Sequence, residues 1–285
     1  MNRRSVLAAL ATGTAALAGC LGDSDGENGD DGVPTPEPTP TETPTPENPV
    51  DLTVEAVTVA PQVVTLDTPD SIATYGGRDE QFLLAEITTS DEVAPVDLTL
   101  TADGEEYEPR ERIGEGLSLY PYGDLYFATE GETGWVAFEL PKPLGSLSAT
   151  LAWPGGSDDL AGAVVEALNR EPTSFDVTVE APEQVPADSP ATFSVSVANT
   201  GDATGTFVGA LNRTGPSVAY TPETAVELTV EPGATDTWEY SYTPDPEDAG
   251  AAFTFVFVWR DGDERREIGI LEPEESDGES GSDSS

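Results

Sequence analysis

The sequence predicts an all-β protein made of two tandem antiparallel β-sandwiches, joined by one short helix and carried behind a disordered stalk. Across residues 50–156 and 173–272, apolar side chains recur at every second position in short runs, which is the period of a half-buried strand. Gly, Pro, Asp and Asn turn signals separate these runs, and the one stretch of helical period is brief. A third observation sets the solvent: 55 Asp and Glu stand against 11 Lys and Arg, a formal net charge of −44 in 285 residues.

Residues 1–19 read as an export signal. Arg3 and Arg4 precede an apolar run, Val6 to Ala18, that Thr12, Gly13 and Thr14 interrupt. The run is too short and too mildly apolar for the ~20 residues of a spanning helix. Leu17-Ala18-Gly19 then places small residues before Cys20, the one cysteine of the chain. No intramolecular disulfide or thiolate metal site is therefore available. Arg3-Arg4-Ser5-Val6-Leu7 resembles a twin-arginine export signal, and Leu17-Ala18-Gly19-Cys20 resembles the lipobox of prokaryotic lipoproteins. The second resemblance implies that the Cys20 sulfur takes a two-chain glycerol lipid after export, and two chains give stable attachment where one binds marginally. An uncleaved amphiphilic tether and a plainly secreted protein are the alternatives, and Cys20 counts against both.

Residues 20–49 join that cysteine to a disordered linker. Leu21 to Gly32 is acidic and small, and Val33 to Pro49 is a Thr-Pro repeat carrying Glu37, Glu42 and Glu47. Neither can bury a core. Asp23, Asp25 and Glu27 imitate the start of a calcium loop, but Asn28 stands where such a loop needs glycine. As polyproline-like chain at ~3.1 Å per residue, the repeat would hold the folded part about 50 Å off a membrane. Its threonines are candidate glycan sites. Loss of Arg3 and Arg4 with the signal takes the net charge from −44 to −46. Self-repulsion of that size destabilises a compact state until molar salt shortens the Debye length to ~3 Å. The composition resembles that of proteins from extremely halophilic archaea. It disfavours nucleic acid and anionic membrane surfaces as partners.

In residues 50–156, alternation runs through Leu52, Val54 and Ala56, through Val96, Leu98 and Leu100, through Val136, Phe138 and Leu140, and through Leu147, Ala149, Leu151 and Trp153. Asp103-Gly104 marks a hairpin turn, and the continuously apolar Gln81 to Ile87 suits a central strand. Leu83-Leu84-Ala85-Glu86-Ile87, Asp103-Gly104-Glu105-Glu106-Tyr107 and Gly134-Trp135-Val136-Ala137-Phe138-Glu139-Leu140-Pro141 resemble the telokin-like Ig-fold domains of surface lipoproteins. Residues 157–172 change period: Leu160, Val164 and Leu168, with Ala161 and Val165 beside them, form an apolar stripe. Ser157 is the expected N-cap, Asp158 and Asp159 complement the positive end, Arg170 the negative end, and Glu171-Pro172 stops the helix. Its expected place is the interdomain joint.

Residues 173–272 alternate through Phe175 to Val179, Phe193 to Val197, Phe207 to Leu211, Val226 to Val230, Trp238 to Tyr242 and Phe253 to Trp259. Arg260-Asp261-Gly262-Asp263 then turns the chain into a closing strand through Ile268 and Ile270. Seven strands in about a hundred residues is an Ig-like pattern. Phe193 through Ala203 with its Asn199-Thr200-Gly201-Asp202 turn, then Gly205-Thr206-Phe207, and Val230-Glu231-Pro232-Gly233-Ala234-Thr235 resemble the cell-adhesion-related Ig-like domains of archaeal and bacterial surface proteins. That resemblance implies a fold and no active site. Residues 273–285 read as a disordered acidic tail.

The search for chemistry yields exclusions. The chain has no histidine, which removes Ser-His and Cys-His nucleophilic systems and His-containing zinc sites. No phosphate-binding glycine loop or hydrolase elbow occurs, and Lys142 sits between Pro141 and Pro143 without a partner serine. Any pair of carboxylates could serve acid–base work, yet 55 of them make chance pairs inevitable. Trp153, Trp238 and Trp259 continue inward rows, leaving Trp135 as the expected exposed exception to core packing. Asn212-Arg213-Thr214 is an N-glycosylation sequon, expected on the loop after a strand, with occupancy left open. No cofactor or defined metal cage is expected, only weak cation association with surface carboxylates.

The reading is a non-enzymatic lipoprotein on the outer face of the cell membrane, held there by a lipid on Cys20. It would bind, space or scaffold envelope proteins or glycans. An accessory solute- or ion-binding lipoprotein beside a transporter is the alternative, and a hydrolase using carboxylates alone is a remote one.

Overall fold

The computed structural model describes residues 49–90, 93, 97–128 and 132–273. The chain divides into compact units at residues 1–45 and 46–285, and every described residue lies in the second. Arg3, Arg4, Cys20, the Thr-Pro repeat up to residue 48 and the acidic tail from residue 274 lie outside the described residues. The described part is all-β, as two successive antiparallel Ig-like sandwiches.

The first sandwich contains β1 (Leu52–Ala60), β2 (Val63–Thr68), β3 (Ser71–Tyr75), β4 (Glu80–Thr89), β5 (Thr99–Ala102), β6 (Glu105–Tyr107), β7 (Ser118–Leu119), β8 (Gly123–Asp124), β9 (Thr133–Pro141), β10 (Ala149–Trp153) and β11 (Gly156–Asp159). One sheet runs β1-β4-β9 and the other β11-β10-β5-β6, with β2-β3 and β7-β8 as separate hairpins. Strand β4 shows why its sequence is continuously apolar. Leu83, Ala85 and Ile87 face the main core with Val136, Phe138, Leu100 and Leu151, while Phe82 and Leu84 face a second cluster with Val63, Ile113 and Leu125. A strand covered on both faces has no polar row. Asp103 and Gly104, at φ of 49° and 82°, make the two-residue turn between β5 and β6, as a type I′ hairpin demands.

The expected helix over 157–172 is corrected. Ser157, Asp158 and Asp159 belong to β11, opposite Ala152, Leu151 and Thr150 of β10. The turn that sends them back is Pro154-Gly155, with Gly155 at a φ of 81°. Pro followed by Gly pre-sets such a reversal, and it prevails over the weaker capping signal of Ser157. The helix itself, α1 (Gly162–Leu168), starts after Ala161, with no side-chain cap. It packs on the first sandwich: Leu160 and Leu168 are buried in the first core, with Val164 and Val165 against it. The buried Gln81 amide donates to Leu168 O and to Pro141 O, both at 2.7 Å, satisfying a carbonyl at the end of the helix.

The second sandwich contains β12 (Phe175–Glu180), β13 (Gln184–Pro186), β14 (Ala191–Asn199), β15 (Gly205–Thr214), β16 (Thr221–Val230), β17 (Thr235–Tyr242), β18 (Ala252–Trp259) and β19 (Gly262–Leu271). Its sheets run β12-β14-β17 and β13-β19-β18-β15-β16. The core is aromatic. Phe193 meets Phe255 at 5.0 Å between ring centroids, and Phe253 meets Phe255 edge-on at 5.4 Å. Asn199 explains the Asn-Thr-Gly-Asp turn: buried, its amide donates to Ala203 O and Val230 O at 2.8 and 2.7 Å and accepts from Gly201 N at 2.9 Å. Strand β13 adds one strand to the seven expected. It is three residues long, ends in proline and pairs in parallel with β19, so no alternation could announce it. Trp153, Trp238 and Trp259 pack on the cores as expected. Trp135 is half-buried rather than exposed, 5.2 Å from the Tyr122 ring.

Candidate functional site

The hairpin β2-β3 lies outside both main sheets of the first sandwich, and it meets the second sandwich. Val64 and Ile72 on the hairpin share a small apolar cluster with Val208 and Ala210 of β15, flanked by Leu66, Tyr120 and Ala225. Strand β15 accounts for this contact through its period of two. Phe207 and Leu211 point into their own core, whereas Val208, Ala210 and Asn212 form the opposite row, toward the first sandwich. The run Phe207 to Asn212 is buried throughout, and an apolar outer row on a sandwich strand signals that something covers it.

Asn212 completes the contact. Its Oδ1 accepts from Ile72 N at 2.8 Å and its Nδ2 donates to Ile72 O at 2.9 Å. One side-chain amide thus supplies both partners that a neighbouring strand would offer Ile72. Residue and partner are each 1% exposed, so the two bonds are made in a dry interface where unmade ones are costly. This corrects the expected placement of the sequon on the loop after a strand: Asn212 stands within β15, and in the folded chain its Nδ2 is enclosed and donates to Ile72 O. Tyr122 Oη, from the first sandwich, donates to both carboxylate oxygens of Glu227 on β16 at 3.1 and 3.2 Å. Burial raises the Glu227 carboxyl above its ordinary range, and the Tyr122 hydrogen bond opposes that. At the far side Arg78 reaches Asp261 Oδ1 at 2.9 Å and Ser174 Oγ at 3.3 Å. That ion pair is exposed and contributes little, at most about 1 kcal/mol.

Beside the Arg78 contact a crevice of about 50 Å³ opens between α1, the end of β9 and the second sandwich. Lys142, Arg170 and Arg260 line it with Thr206 and Phe175, and Glu171 is its acidic member. Lys142 follows β9, Arg170 follows α1, and Arg260 occupies the β18–β19 turn. Lys142 Nζ stands 3.5 Å from Gln81 Oε1. Burial pushes its ammonium below the ordinary lysine range, the guanidiniums of Arg170 and Arg260 push it further, and Glu171 opposes. Among the described residues, Arg260 Nε is buried without a hydrogen-bond partner and forms an ion pair with Asp261 Oδ2 at 3.7 Å.

Among the described residues, no cluster of three or more His, Cys, Asp or Glu is placed to hold a metal ion. No described helix is long and apolar enough to cross a membrane. The crevice escaped sequence reading because its three cations are 28 and 90 residues apart along the chain. The β2-β3 hairpin was closer to legible: Val63-Val64-Thr65-Leu66 and Ser71-Ile72-Ala73-Thr74-Tyr75 flank Pro69-Asp70, a turn signal between two β-rich runs.

No family model matches the chain, and no curated protein matches it in sequence. Solved structures show partial likenesses. A β-glucosidase from Erythrobacter marinus is 20% identical over 35% of this chain and 16% of its own length, at a TM-score of 0.29. A β-glucosidase from Listeria innocua in complex with glucose is 10% identical over 37% of this chain and 17% of its own, at 0.31. The CARDB domain of a Pyrococcus furiosus protein, in complex with di-metal ions, is 12% identical over 35% of this chain and 94% of that domain, at 0.30. The matched part of this chain thus spans about a sixth of the glucosidases' length.

Proposed function

We propose that the protein is a non-catalytic lipoprotein of the outer cell surface. Its two sandwiches act as one stiff binding or scaffolding body, held off the membrane by the Thr-Pro stalk behind a lipid on Cys20. The observation that supports this reading is the joint. Tandem domains ordinarily meet through small, polar contacts and move relative to one another. Here the meeting surface has an apolar cluster of its own and an asparagine spent entirely on bridging it. A body of that kind transmits the position of its anchor to whatever it binds. The acidic composition, with 55 Asp and Glu, suits partners that are neutral, cationic or bridged by cations.

Crosslinking mass spectrometry on intact cells tests this directly. Both sandwiches should crosslink reproducibly to the same few envelope components, and Cys20→Ser should release the protein from the membrane fraction. An empty crosslink map, or membrane retention of the Cys20→Ser chain, would count against the proposal. A second reading, an accessory protein that binds a small solute or ion, is favoured by the crevice of Lys142, Arg170 and Arg260.

A further inference from the structure

We propose that Lys142, Arg170 and Arg260 hold a small oxyanion, of the phosphate, sulfate or carboxylate kind, in the crevice between the two sandwiches. The charge distribution points there first. Acidic residues outnumber basic ones 55 to 11 in this chain, yet the crevice lining reverses the ratio, with three cations to the single carboxylate of Glu171. Gathering like charges in a partly enclosed space is unfavourable without a counter-charge. The neighbouring acids supply it poorly. Asp261 is one carboxylate shared by two guanidiniums: it pairs with Arg78 at 2.9 Å and, less closely, with Arg260 Nε at 3.7 Å. Glu171 is exposed.

Arg260 adds an independent observation. Its side chain is only 15% exposed, and among the described residues its buried Nε–H has no hydrogen-bond acceptor. Buried guanidinium donors in folded proteins are ordinarily satisfied. A planar guanidinium fork matches an oxyanion with two oxygens, and an ammonium completes the charge as a point donor. The crevice, at about 50 Å³, has room for several waters, the size range of a small oxyanion. Lys142 and Arg170 belong to the first sandwich side and Arg260 to the second, so the anion would tie the two together. The depressed Lys142 ammonium fits a cation cluster that gains from such a ligand. None of this depends on where the protein resides or on the lipid at Cys20.

Lys142 is the only lysine of the chain, so lysine-selective ¹³C labelling of the full chain reports on this site alone. The titrant is sodium phosphate, then sulfate, then acetate, at constant molar ionic strength held with sodium chloride. The Lys142 Cε resonance should move saturably with at least one of them, and the melting temperature should rise in step with occupancy. The preferred anion identifies the oxyanion class. Arg170→Gln, at an exposed residue, should weaken the apparent affinity about tenfold or more, and Arg260→Gln should do the same. Arg112→Gln, outside the crevice lining, should leave it unchanged. If Arg260→Gln fails to fold, Arg170→Gln still decides. An unsaturable drift with all three anions, or equal responses in Arg170→Gln and Arg112→Gln, overturns the assignment.

Discussion

Moved from molar salt into dilute buffer, the chain is expected to lose its cooperative melting transition. The cause is the net charge of −44. The described residues set five ion pairs against it, of which only Arg213 with Glu223, at 2.7 Å, is largely buried on both sides. The others, such as Arg110 with Glu139 at 2.7 Å and Arg266 with Glu264 at 2.6 Å, are partly exposed, and pairs of that kind contribute at most about 1 kcal/mol. Repulsion among the remaining carboxylates is therefore opposed mainly by the cores, and marginal stability leaves only about 5–15 kcal/mol to lose. At 0.15 M salt the Debye length is about 8 Å, so neighbouring carboxylates still interact; at 1 M it is about 3 Å. Circular dichroism melts across a sodium chloride series should show Tm climbing by ~10 °C or more up to about 1 M and flattening beyond it. The plateau separates screening from salt exclusion, which strengthens apolar burial without levelling off there. A Tm independent of salt, or one still rising linearly at 3–4 M, would contradict the electrostatic account.

The second large effect is expected at Asn212. Asn212→Asp replaces the donating amide with a carboxylate that faces Ile72 O, at a position 1% exposed. A buried charge with no cation beside it, and one oxygen set against a carbonyl, costs about 3–5 kcal/mol, roughly 10 °C in Tm for a body of this size. Protonation cures the defect, because a carboxylic acid offers one O–H donor and one acceptor in the pattern of the lost amide. Burial raises the folded-state pKa of the introduced carboxyl above its unfolded value of about 3.9. The unfolded variant then binds fewer protons than the folded one across the window between the two values, so stability falls as pH rises through it. The gap between variant and wild type should be widest at pH 7 and narrow toward pH 5. Asn212→Ala leaves Ile72 N and O both unpaired, at a cost of about 1–3 kcal/mol each, and its gap should not vary with pH. Parallel pH profiles for the two variants would contradict the pairing with Ile72.

The contrast between what the sequence displays and what it hides follows from which interactions are periodic. Phe193, Val195 and Val197, or Phe253, Phe255 and Phe257, alternate because each strand buries one face, and that row is visible one residue at a time. Turns were legible where their chemistry is local, as at Asp103-Gly104 and Asn199 to Asp202. The joint is a different kind of object. Ile72 and Asn212 are 140 residues apart, and an asparagine that replaces a strand partner is indistinguishable in sequence from one that carries a glycan. The same holds for the crevice, where only the fold brings Lys142 to Arg260. The misplaced helix start at Ser157 shows two local signals in competition, with Pro154-Gly155 the stronger.

The claim on which the rest depends is that the sandwiches form one rigid body. Cys20 is the only native cysteine, so a Cys20→Ser chain carrying Glu106→Cys on β6 and Glu239→Cys on β17, both exposed, accepts two spin labels and no others. Electron–electron distance measurements in molar salt should give one narrow distribution in the wild-type joint, broadened when Asn212→Asp is added at pH 7. A broad or multi-peaked distribution in the chain with Asn212 intact would show the sandwiches moving independently and would contradict the joint described here.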